Sequence, residues 1–174
     1  DRWLRGGRND GLRMGLSLYQ QRYQTLDQYN YSQYSVHLTR YGRLDNWRMR
    51  FGAHWDENHF DNSEYQRVVS ADVRGSKALS KQNQLRLSYK LSRIQATDST
   101  FEYLEGWRQR LRAGLQQRRE SNKFRYYYQL EINNRSDRAT ATRFTSYSPI
   151  RHVLRATGWW DFTDKWGLRL DGRF

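Results

Sequence analysis

Apolar and polar residues alternate along most of this chain with a period of two. Leu12, Met14, Leu16 and Leu18 fall on one side, and Arg13, Gly15, Ser17 and Tyr19 on the other. Trp47, Met49, Phe51, Ala53 and Trp55 oppose Arg48, Arg50, Gly52 and His54. Leu85, Leu87, Tyr89 and Leu91 oppose Arg86, Ser88, Lys90 and Ser92. The same holds for Phe124, Tyr126, Tyr128, Leu130 and Ile132 against Arg125, Tyr127, Gln129, Glu131 and Asn133, and for Trp166, Leu168, Leu170 and Phe174 against Gly167, Arg169, Asp171 and Arg173. Side chains alternate across a pleated strand, so each segment buries one face and wets the other. Trp107, Leu111 and Leu115 also fit a helix, but Arg108, Arg110 and Arg112 continue the polar face of their neighbours, and the segment is read as a strand. Tyr65 to Val73, Ile150 to Trp160 and Tyr34 to Leu38 complete a set of about ten strands.

Asn9-Asp10-Gly11, Leu44-Asp45-Asn46, Ser80 to Asn83, Ser121-Asn122-Lys123 and Thr163-Asp164-Lys165 carry turn chemistry. Between them lie longer polar, tyrosine-bearing connections over Thr25 to Gln33, Glu57 to Glu64, Ala96 to Glu105 and Asn134 to Ser148, the last ending at Pro149. Short turns at one end and long loops at the other describe an antiparallel meander. No second domain or linker is visible, so residues 1–174 read as one domain, complete or a segment of a larger barrel.

The apolar side is Leu, Met, Val, Phe, Trp and Tyr; the polar side is dominated by Arg. A soluble sandwich needs one well-filled apolar core, whereas a barrel in a bilayer turns apolar residues outward and polar ones inward. The expected fold is therefore all-β, an antiparallel up-and-down transmembrane β-barrel. Trp47, Trp55, Trp107, Trp160, Trp166, Phe124 and Phe174 lie near strand ends on the apolar side, where an interfacial girdle places them.

Composition sharpens this picture. The chain has 31 Lys and Arg against 18 acids, a net charge of +13, and a mean hydropathy of −1.12, yet aromatics make up 16% of it. Disordered polycations lack such aromatics, so the chain is expected to fold. Absence of cysteine excludes disulfides, thiolate metal sites and cysteine nucleophiles. No apolar run reaches the length of a transmembrane helix, and Asp1-Arg2-Trp3-Leu4-Arg5 is unlike a signal peptide, so a secreted chain would be mature or trimmed here.

With its alternating strands and closing Trp166-Gly167-Leu168-Arg169-Leu170-Asp171-Gly172-Arg173-Phe174, the chain resembles Gram-negative outer-membrane β-barrels. Tyrosine-rich, arginine-lined segments such as Phe101-Glu102-Tyr103-Leu104-Glu105-Gly106-Trp107-Arg108 look, more loosely, like the C-terminal barrels of tetratricopeptide-repeat outer-membrane proteins. That group includes polysaccharide exporters and modulators of surface lipoprotein assembly. The resemblance implies the Gram-negative outer membrane, contact with lipid and lipopolysaccharide, and a periplasmic or lumenal protein partner.

On the polar side stand Arg48, Arg50, Arg86, Lys90, Arg108, Arg110, Arg112, Arg125, Arg151, Arg155 and Arg169, together with Arg13, Arg74 and Arg173, against chiefly Asp72, Glu131 and Asp171. Arginine stays protonated and a low-dielectric wall focuses its field, so a lumen lined this way attracts anions. The functional expectation is a channel or exporter for anionic solutes such as acidic oligosaccharides or other polysaccharide. Alternatively, the arginines pair with acids and plug the lumen, or meet water and lipopolysaccharide phosphates, in a non-conducting scaffold or translocation barrel holding a protein partner. A soluble β-rich nucleic-acid or glycan-binding module is the third reading. Nucleic acid is not expected as a partner, because stacking aromatics and arginines mostly occupy opposite faces. No enzyme, metal or cofactor is expected: His37, His54, His59 and His152 show no metal-ligand spacing except that His54 and His59 flank Asp56 and Glu57 beside a loop, and Ser35 and His37 share a face only through alternation.

Overall fold

The computed structural model of the chain describes residues 2–7, 10–25, 29–61, 63–135, 138–140, 143–145, 148–163 and 166–174. It is all-β. Ten antiparallel strands form one sheet in the order β1 (Arg2–Gly6), β2 (Gly11–Gln21), β3 (Tyr31–Leu44), β4 (Trp47–Phe60), β5 (Ser63–Ala78), β6 (Asn83–Ala96), β7 (Gly106–Arg118), β8 (Asn122–Arg135), β11 (Ile150–Asp161) and β12 (Gly167–Arg173). The remaining two strands, β9 (Arg138–Thr140) and β10 (Arg143–Thr145), pair only with each other inside the long β8–β11 connection. The Trp107 segment is a strand, and the alternation around Tyr34 extends to fourteen residues of β3.

Two expectations are corrected. The stretch Glu57 to Glu64 is not a long connection: β4 runs to Phe60, β5 begins at Ser63, and only Asp61-Asn62 lies between them. This is the same dipeptide as Asp45-Asn46 between β3 and β4, and Asp45 and Asp61 both adopt the left-handed backbone that tight hairpin turns require, at φ 49° and 46°. Asn58 and Gln66 are paired, then His59 and Glu64, leaving Tyr65 as the extra residue of a bulge that interrupts the alternation there. Second, the sheet is not closed into a barrel. Among the described residues β1 pairs with β2 alone and β12 with β11 alone. The turn expectations at Asn9 and at Asp164-Lys165 lie outside the described residues.

The sheet does curl. Trp3 and Arg13 of β1 and β2 line the same cavity as Arg125 and Tyr127 of β8, a cavity of about 720 Å³ on the polar face. Twist and coiling accumulate in sheets of many strands. Burial is inverted relative to a water-soluble protein. The buried side is polar, with Thr39, Asn58, Ser70, Asp72, Ser92, Glu131, Asn133 and Thr157, against two buried hydrophobes, Val68 and Ile94. Exposed large residues stand on the other face, among them Leu16 at 67%, Leu111 at 48% and Leu154 at 57%.

Of the expected aromatic girdle, Trp47, Phe124, Trp160 and Trp166 sit at the short-turn end and Trp107 at the long-loop end. Trp55 lies five residues inside β4, and Phe174 exchanges backbone hydrogen bonds with Leu154, within β11 rather than at its rim.

Candidate functional site

Residues directly opposite in a ladder point to the same side, so the register assembles the polar face row by row. One row runs Arg13, Thr39, Gly52, Asp72, Lys90, Arg110, Glu131, Arg151. Toward the short turns follow Arg50, Arg74, Ser88, Arg112 and Gln129, then Arg43, Arg48, Ser76, Arg86, Gly114, Tyr127, Arg155 and Arg173. Next come Gln116, Arg125, Thr157 and Asp171, and last Arg118, Lys123, Trp159 and Arg169. On the long-loop side of the first row lie His54, Ser70, Ser92, Arg108 and Asn133. All eleven basic residues singled out from the sequence thus share one face.

They do not share one site. Arg48, Arg50, Arg86, Lys90, Arg110, Arg112 and Arg125 line the 720 Å³ cavity, whereas Arg108, Arg151, Arg155 and Arg169 stand outside its described lining. Arg13, Arg43 and Arg74 also line it, and Asp72 is the one acid among its described lining residues. A second cavity of about 580 Å³ shares Arg43, Arg48 and Ser76 with the first and opens among the short-turn residues Asp45, Asn46, Lys81 and Gln82.

Three carboxylates anchor the face. Asp72, its side chain 1% exposed, takes His54 Nε2 at 2.7 Å, Arg74 Nε at 3.2 Å and Arg50 at 3.7 Å. Glu131 Oε2 accepts both Arg110 Nε at 3.0 Å and Arg110 Nη2 at 2.7 Å. Asp171 accepts Arg155 Nε at 2.7 Å and the Thr157 hydroxyl at 3.0 Å, with Arg169 at 3.7 Å. Charged pairs of this kind are stronger than neutral hydrogen bonds, and the forked guanidinium fixes their geometry.

Other arginines are held by neutral acceptors and rings. Arg112 donates through Nε and Nη2 to Gln129 Oε1 and lies 4.5 Å from the Tyr127 ring centroid. Arg125 donates to Gln116, and with Lys123 and Arg169 it surrounds Trp159 at 4.9, 5.2 and 5.5 Å. These contacts leave the positive charge intact and orient its remaining donors. Sequence reasoning missed Trp159, Arg43 and Tyr41 as members of this face. Parity was the signal for Trp159, because its neighbour Trp160 belongs to the apolar side. Asp56 was missed as well; it acts electrostatically on both Lys90 and Arg108.

His54 and His59 lie on opposite faces: His54 is bonded to Asp72, and the His59 ring meets Tyr34 edge-on at 5.3 Å. Ser35 and His37 share the polar face, where the His37 ring lies 6.0 Å from that of His54. Among the described residues no group of three or more His, Cys, Asp or Glu side chains is arranged to hold a metal ion, and no helix is long and apolar enough to cross a membrane. The arrangement can bind oxyanions through oriented guanidinium groups on a concave wall. No family model and no curated protein matches this chain.

Proposed function

We propose that this chain forms wall of a transmembrane β-barrel in the outer membrane of a Gram-negative cell, with an arginine-lined lumen that carries anionic solutes such as acidic oligosaccharides. One observation carries the reading: burial is inverted, with Ser, Thr, Asn, Asp and Glu inside and Leu, Tyr, Phe and Trp outside. In water an apolar face this broad drives association; in hydrocarbon it is the surface a barrel needs. Strands β2 to β8, of 11 to 16 residues, reach or exceed the roughly 9–11 that span a bilayer at a tilt. Ten cations against one acid in the described cavity lining supply the anion preference.

A second reading, a non-conducting barrel holding a protein partner in its lumen, is favoured by the tight burial of Ser70 and Ser92 on the polar face. Reversal potentials of the full-length protein in planar bilayers under a potassium chloride gradient test both. Anion preference is the expected result, and cation preference overturns it. Absence of current with anion binding retained selects the second reading. Stable monomeric behaviour without detergent overturns the membrane assignment and returns the soluble glycan- or nucleic-acid-binding module.

A further inference from the structure

The polar face is not uniform along the strands. Toward the short turns it is open: the two cavities share Arg43, Arg48 and Ser76 and reach from mid-strand to the turn residues Asn46 and Lys81. Toward the long loops it is packed. Ser92 is 1% exposed, Ile94 2%, Ser70 3% and Val68 6%, and the Ser70 and Ser92 hydroxyls bond each other at 3.0 Å. Val68 and Ile94 face each other across β5 and β6 in the next pair. Neither cavity has any of these four residues in its lining.

Their neighbours follow from the register. Ser70 and Ser92 lie between His54 on β4 and Arg108 on β7 in one row, and Val68 and Ile94 lie between Asp56 and Gly106 in the next. Asp56 stands opposite Val68 on one flank of this patch, and Arg108 opposite Ser92 on the other. Glu131 and Asn133, both buried, extend the layer into β8.

We propose that the open half is a basic vestibule that takes a multiply charged oxyanion from the short-turn side, and that the packed layer of Ser70, Ser92, Val68 and Ile94 closes it toward the long loops. This rests on the anion-handling reading of the polar face and adds the direction of entry and the place where the solute stops. Bound oxyanions bridge guanidinium groups such as Arg48, Arg86 and Arg112, which line the cavity. Anything that passes farther has to part the layer.

The chain contains no cysteine, so single thiols report access without background. Ser76→Cys, Ser88→Cys, Ser70→Cys and Ser92→Cys are compared in the full chain, folded in detergent or vesicles, with an anionic and a cationic methanethiosulfonate reagent. The thiols at 76 and 88 are expected to react about tenfold faster with the anionic reagent and to be protected by tripolyphosphate. Those at 70 and 92 are expected to react at least about a hundredfold more slowly with either, and Arg108→Gln is expected to expose them. Reaction at 70 and 92 as fast as at 88, with anion preference kept, overturns the closed layer alone. Equal rates with both reagents at 76 and 88 overturn the anion reading beneath it.

Discussion

His54 reaches Asp72 across the space that Gly52 leaves empty: Gly52 stands directly opposite Asp72 in the ladder, and the His54 ring folds back over it to place Nε2 2.7 Å from the carboxylate. A Cβ on Gly52 would meet Asp72 Oδ1 at 2.7 Å and His54 Nε2 at 2.8 Å. At Gly42, on the apolar face of β3, a Cβ meets nothing within 4 Å.

Gly52→Ala is therefore expected to destabilise the folded chain by about 1–3 kcal/mol, because an inserted methyl displaces a buried, charge-assisted contact. Gly42→Ala is expected to be neutral or slightly stabilising. Thermal unfolding of both variants in the same detergent checks this; equal effects at the two glycines refute the packing argument.

Arg110 and Glu131 give a second test. Glu131 is nearly buried, so Arg110→Met leaves a carboxylate without its forked partner and is expected to cost about 2–4 kcal/mol. Adding Glu131→Leu should recover most of that loss, since an apolar pair needs no compensation. Urea midpoints of the two single variants and the double variant yield the coupling, and strict additivity would show the pair to be energetically idle.

Much of this face was legible from alternation alone, and the reasons for its limits are local. Arg108, Arg110 and Arg112 share one side, as alternation predicts, because β7 pairs with β6 without a bulge over the whole segment. The β4–β5 turn was hidden because Tyr65 adds one residue to its strand and because Glu57, His59 and Glu64 read as loop composition although they are paired in the ladder. Val68 and Ile94 fall on the polar parity of their strands, in step with Ser70 and Ser92, but alternation does not show that they are buried. That burial depends on register and curl across neighbouring strands. Likewise, which acceptor each arginine meets, Gln129 for Arg112 or Gln116 for Arg125, follows from turn lengths that set the pairing.

The two faces are expected to respond oppositely to charge. Leu111→Arg and Leu154→Arg, on the apolar side, should each cost about 2–4 kcal/mol when folding is measured into lipid vesicles, whereas Ser88→Gln on the polar side should cost under about 1 kcal/mol. Folding equilibria of the three variants decide; near-neutral arginines on the leucine face would mean that it does not meet lipid.

Multivalent anions should stabilise the fold by binding it. Pyrophosphate at 1 mM is expected to raise the thermal midpoint by about 2–6 °C over chloride at matched ionic strength. The combined Arg48→Gln, Arg86→Gln and Arg125→Gln variant should lose that shift. A shift that survives in the variant would assign the anion to another surface.

Nine ladders join the ten strands, and eight of them link consecutive strands; the ninth, between β8 and β11, skips only the β9–β10 hairpin. Every ladder is thus local in sequence, with a low loop-closure cost at each step. The chain can therefore grow as a series of hairpins, each new strand templated by the one before it. The curl that sets Trp3 beside the same cavity as Tyr127 joins distant parts of the polypeptide. Its basic wall consequently becomes a shared compartment late in folding, after the individual hairpins already exist.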